Sequence, residues 1–136
     1  MVYDPLDVRQ YAFAELKAFV EVAGIYNTYV ASHIFTDEAA QIAIKAGIKS
    51  IEHGFLSSEK TLQMMRENRV WFNIQPLLND EDAFKFNDPV STKKWIDVTD
   101  GTDRIYKLAK RTGVNIAFGT DILVDPVLWL FYLAKN

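Results

Sequence analysis

Four times in succession the sequence passes from a helix-type period into a short β-rich run, and at three of those boundaries stands a glycine, Gly24, Gly47 or Gly113. A helix between two strands of one sheet carries the chain back to the end where it started, so the strands must run parallel. Parallel sheets are covered on their faces by the crossover helices, which makes the expected class α/β. The units differ too much in length to be a solenoid repeat.

In the first unit Phe13, Leu16, Phe19, Val20 and Ala23 fall on one helical face, with a stop expected at Gly24 and a β-rich run over 25–32. In the second, Thr36 offers an N-cap with Asp37 and Glu38 in the first turn; Ala39, Ile42, Ala43 and Ala46 carry the helix to Gly47, and a strand covers 48–52. Ser57 or Ser58 caps the third helix, whose Leu62, Met64 and Met65 face inward, before a strand over 70–74 that Pro76 ends. The polar stretch 79–91 reads as an excursion loop. The fourth helix takes up much of 92–112, with Ile105, Leu108 and Ala109 apolar and Gly101 a candidate break, and the last strand covers 114–118.

Composition narrows the function. With 136 residues, 49% of them hydrophobic, the chain can bury a real core, and one domain over 1–136 is the expectation. A net charge of −3 with scattered Lys and Arg provides no basic stripe, so nucleic acid is not an expected partner. The absence of cysteine excludes thiolate sites, leaving His, Asp, Glu or a modified Lys to hold any metal. No run reaches the roughly 20 apolar residues of a membrane span, because 129–134 is short and meets Lys135. The start of the chain lacks a basic region and an apolar signal core, so no membrane and a cytoplasmic location are the expectations.

In parallel α/β folds chemistry collects at the carboxyl ends of the strands. The four strands here end at His33, at His53, at Asn73 and Gln75, and, through Phe118-Gly119-Thr120, at Asp121. The chain's two histidines thus occupy equivalent strand ends. Counting by twos, Tyr29, Ala31 and His33 share one face, as do Ile51 and His53, and Ala117, Gly119 and Asp121; Glu52 has the opposite parity, is expected to point away from the axis these residues face, and reads as structural. Two imidazoles and a carboxylate suit zinc or a similar divalent ion. Taken singly, a strand-end histidine is more often a hydrogen-bonded structural residue than a ligand. Asn73 and Gln75 read as loop hydrogen-bonders rather than substrate contacts.

Taken together, Val30-Ala31-Ser32-His33, Ser50-Ile51-Glu52-His53-Gly54 and Ala117-Phe118-Gly119-Thr120-Asp121 resemble, in order and spacing, strands five, six and eight of the amidohydrolase superfamily, nearest its imidazolonepropionase-like and Xaa-Pro dipeptidase-like members. Ala43-Ile44-Lys45-Ala46-Gly47 and Leu108-Ala109-Lys110-Arg111-Thr112-Gly113 resemble that family's helix ends, and the likeness runs over nearly the whole chain. It implies part of a TIM (β/α)8 barrel, about strands 5 to 8. His33 and His53 would bind one metal of a binuclear pair and Asp121 the other. In mononuclear relatives the positions matching His33 and Asp121 hold the ion while the one matching His53 orients water or substrate.

The family's His-x-His pair of strand one and the lysine of strand four have no counterpart in the sequence. Asp4-Pro5-Leu6-Asp7-Val8-Arg9-Gln10-Tyr11 resembles the loop after that lysine, and 129–136 looks like part of helix eight, so a half-barrel is expected. The implied chemistry is hydrolysis of an amide, cyclic amide or dipeptide by water activated on one or two Zn2+ or other divalent ions. Asp121 would take the proton and pass it to the leaving nitrogen. The expected partners are a small-molecule amide or dipeptide and either the missing N-terminal half-barrel or a second copy of the chain. Two other readings stand beside it: a non-catalytic half-barrel fragment, and a doubly wound open α/β ligand-binding domain without metal.

Overall fold

The computed structural model describes residues 6, 8–81, 83, 85–119 and 121. In chain order the elements are α1 (Phe13–Ile25), β1 (Ala31–Ile34), α2 (Asp37–Ala46), β2 (Ser50–His53), α3 (Glu59–Glu67), β3 (Trp71–Ile74), α4 (Pro89–Thr99), α5 (Thr102–Thr112) and β4 (Ile116–Phe118). The strands form one parallel sheet in the order β1-β2-β3-β4. Spatial order equal to chain order is the arrangement of a (β/α)8 barrel wall; a doubly wound sheet reverses its order at a switch point, and the described strands contain none. The architecture is a four-stranded portion of that barrel. The expectations placed on 1–5, Asp7, Thr120 and 129–136 lie outside the described residues.

Two of the helices, α2 and α5, end at the glycines that the sequence offers as stops. Gly47 and Gly113 take left-handed C-cap conformations, at φ 104° and 69°, which the Cβ of another residue would strain. Ser58 caps α3 by accepting the Thr61 N–H at 3.3 Å, and Asp88 caps α4 by accepting the Ser91 N–H at 2.7 Å. Thr36 starts α2 without a side-chain cap bond. Asp37 instead turns its carboxylate to the Ser58 N–H (2.6 Å) and to Gln41 (2.9 Å), tying α2 to the start of α3.

The first unit differs most from the sequence expectations. The helix passes through Gly24 and closes at Tyr26, so 25–30 is not strand and β1 begins only at Ala31. Nothing lies within 4 Å of where a Gly24 Cβ would stand, so this glycine neither turns the chain nor admits a close neighbour. The fourth helical stretch does break at the expected Gly101, into α4 and α5, and it begins at Pro89, inside the stretch expected to be loop.

The register divides the sheet into two faces. Ser32, Ile34, Ile51, Phe72 and Ile74 share the face that packs with the helices, where Ile51, Phe72 and Ile74 are fully buried beside Ala40, Leu62, Met65 and Ile105. The opposite face, which in a barrel is the inner one, carries Ala31 and His33, Ser50 and Glu52, Trp71 and Asn73, and Ala117 as laterally paired residues. Trp71 is half exposed there.

At the end of β2 the chain turns at Gly54 (φ 58°), where an added Cβ would lie 2.5 Å from the ring of fully buried Phe72. Gly54→Ala combines a left-handed backbone with a collision against a ring that has no free space. It is expected to lower stability by about 1–3 kcal/mol, read as a fall in the urea midpoint at unchanged m-value.

Candidate active site

His33, His53 and Asp121 come from three separate strand ends and meet at one point. His33 lies on β1 and faces inward. His53, the last residue of β2, has a left-handed backbone at φ 73°, an uncommon conformation for a residue with a Cβ. The Gly54 N–H then donates to the Ile34 carbonyl at 2.7 Å, pinning the turn to the end of β1. Asp121 is also left-handed, at φ 49°.

The His53 imidazole is buried, at 3% exposure, and is held on every side. Its Nδ1 faces Gln75 Oε1 at 2.9 Å. Its Nε2 is in direct hydrogen-bond contact with His33 Nδ1 and lies 3.9 Å from Asp121 Oδ2. Phe35 stacks on the ring, with centroids 4.7 Å apart and planes within 4° of parallel.

Burial holds the His53 pKa below its ordinary value, with the His33 charge acting in the same direction; these outweigh the Gln75 hydrogen bond and the charges of Asp121 and Glu52, which favour the protonated form. His53 is therefore neutral at pH 7, as a nitrogen ligand must be. The sign for stability follows. Below the ordinary value of 6.5 the unfolded chain binds a proton that the folded imidazole refuses, so the contribution of neutral His53 is complete above that pH and is lost as pH falls toward the folded value. The urea midpoint should drop between pH 7 and pH 5, and by less in His53→Gln.

One sequence expectation is overturned. Glu52 does not turn away from the barrel axis; it pairs laterally with His33 on one side and Asn73 on the other, on the inner face. Its carboxylate accepts from Ser50 Oγ at 2.6 Å and from the Asn73 amide. Alternation assigns His53 the parity of Ile51, on the helix-packed face, and the imidazole reaches His33 because the positive φ takes it out of the extended strand. Counting by twos inward from His53 therefore inverted the assignment of Glu52.

Gln75 was legible as a hydrogen-bonder at a strand end, but not as the partner of His53. No local motif signals a contact made across 22 residues. Gly119 completes the site from β4, where an added Cβ would stand 2.7 Å from Asn73 Oδ1 and 3.0 Å from Gln75 Nε2. That close approach explains the glycine. Asn73 Oδ1 is itself buried without a hydrogen-bond partner among the described residues.

The donor set of two imidazole nitrogens and a carboxylate fits the chemistry of zinc and similar ions. It does not amount to a complete cage: among the described residues no group of three or more His, Asp or Glu side chains has the arrangement to hold an ion. The site opens into a groove of about 560 Å³ along the free side of β1, lined by Phe35, Arg9, Tyr11 and Ile42 besides the site residues.

A parallel barrel wall with His, His and Asp at the carboxyl ends of its strands defines a class, and the comparisons with known proteins agree with it. A solved amidohydrolase superimposes with a TM-score of 0.83 at 29% identity, covering 97% of this chain and 34% of its own. A prolidase solved in complex with N-methylphosphonate-L-proline gives a TM-score of 0.83 and 29% identity, over 94% of this chain and 32% of its own. Among curated proteins, the ochratoxinase of Aspergillus niger is 29% identical over 115 residues, 82% of this chain and 24% of that protein. No protein-family model matches the sequence. The solved structures that the chain resembles over nearly its whole length are amidohydrolase-family proteins. It spans about a third of the length of the solved relatives and a quarter of the ochratoxinase.

Proposed function

We propose that this chain supplies the strand-five-to-eight portion of a metal-dependent hydrolase that cleaves a C–N bond in an amide, cyclic amide or dipeptide. The convergence of the His33 and His53 imidazoles and the Asp121 carboxylate on one point of the barrel rim carries the reading. Together with donors from the complementary half-barrel, His33, His53 and Asp121 would hold a divalent ion, which when bound would supply the Lewis acidity that activates water and polarises the scissile carbonyl. Asp121, at the mouth of the groove, accepts the proton of the attacking water and returns it to the departing nitrogen. His53, buried and neutral, is positioned to bind and orient rather than to carry protons.

Zinc titration by calorimetry tests the ligand set directly. Combined with its complementary half-barrel, the wild-type chain should bind Zn2+, and His33→Ala together with His53→Ala should abolish that binding. Equal affinity in the double variant would remove the metal from the reading.

The ligand set is incomplete by itself, and the sheet is paired on one side only at β1 and at β4 among the described strands. Unpaired edges and an open inner face drive association. The chain should therefore run as a dimer or bound to a complementary half-barrel. A monodisperse monomer in light scattering at micromolar concentration would contradict this.

A further inference from the structure

A neutral imidazole carries its proton on one nitrogen only, and which one is settled by the partner of the other. His53 is enclosed so that its two nitrogens face different surroundings: Gln75 Oε1 at 2.9 Å from Nδ1, and the rim, with His33 and Asp121, at Nε2. Gln75 is itself 2% exposed, so its amide is enclosed with the ring. An amide oxygen accepts and cannot donate, so the nitrogen facing it must bear the hydrogen.

We propose that Gln75 is a positioning residue that sets the tautomer of His53, holding the proton on Nδ1 and turning the Nε2 lone pair to the barrel rim. The consequence extends to the neighbouring ring. Because His53 Nε2 is then an acceptor, its contact with His33 is made by the His33 Nδ1–H, so both rings share one tautomer and the pair is polarised in one direction. Free imidazole side chains favour the opposite, Nε2-protonated form, so the arrangement must be imposed by the fold. The inference deepens the metal-site reading, since a ligating histidine commonly donates its other N–H to such a partner, yet the tautomer is a property of the metal-free chain and is measurable without an ion.

The chain has only two histidines, so long-range imidazole 1H–15N correlation spectra of 15N-labelled protein at pH 7.5 resolve each ring. The wild type should show Nδ1–H, with Nε2 unprotonated, for both His53 and His33. Gln75→Leu removes the acceptor and should shift both rings to Nε2–H, with the contact now donated from His53. Gln75→Glu, which restores an acceptor oxygen, should return the Nδ1–H pattern. Zn2+ affinity should fall about 10–100-fold in Gln75→Leu relative to wild type.

An Nε2–H tautomer for His53 in the wild type, or the same tautomer in all three proteins, would overturn the assignment; should Gln75→Leu not fold, the wild-type and Gln75→Glu spectra decide it. The Nδ1–H pattern without any zinc binding would sustain the role of Gln75 while sinking the metal-site reading, so the two fail separately.

Discussion

Asp121→Asn in the assembled barrel is expected to lower kcat by about 10²–10⁴-fold while leaving the fold intact. The side chains are nearly the same size, so the loss isolates the acceptance of a proton and the negative charge. Asp121 is well placed for both: its carboxylate is 30% exposed, open to the groove, and its Oδ2 lies 3.9 Å from His53 Nε2. It belongs to no part of the hydrophobic cluster, so its replacement removes no core packing. Hydrolysis of a panel of dipeptides and N-acyl amino acids by the chain combined with its complementary half, beside circular dichroism of the variant, measures the two effects apart. Wild-type turnover in a folded Asp121→Asn protein would remove the proton-transfer role.

The fold was readable because its signals are local. Helix caps at Ser58, Gly47 and Gly113, and apolar rows such as Leu62 with Met65, are written within one or two turns of chain, and a run of helix-strand units admits few topologies. Gly24 shows where locality misleads: a glycine near the end of an apolar period looks like a stop, yet the helix continues because nothing there requires a positive φ.

The site divides along the same line. His33, His53 and Asp121 could be located as chemistry-bearing residues at strand ends, but which neighbour each would meet depends on register and on backbone sign, and neither is local. Glu52 beside His33 and Asn73, and Gln75 against His53, are products of lateral pairing between strands 19 or more residues apart. The left-handed turn at His53 is the decisive case, because it alone carries the imidazole from the helix-packed parity of Ile51 to the rim. Gly54 was the available clue. A His-Gly step at a strand end admits an abrupt change of direction, after which alternation no longer predicts the face.

Phe72→Ala should be the most damaging single change to the scaffold, at about 3–5 kcal/mol. Phe72 is fully buried at the centre of the helix-packed face, paired laterally with Ile51 on β2 and with Ile116 on β4. Its ring also lies directly beneath Gly54, so truncation opens a void under the turn that orients His53. Two effects are expected together: a large fall in the urea midpoint, and loss of the single-tautomer His53 signal even under conditions where the chain remains folded. Phe72→Leu, which keeps most of the volume, should recover the greater part of both. If Phe72→Ala destabilised the chain as expected but left the His53 resonance untouched, the turn would be held by its backbone bond to Ile34 alone, and the core would not be what aims the imidazole at the rim.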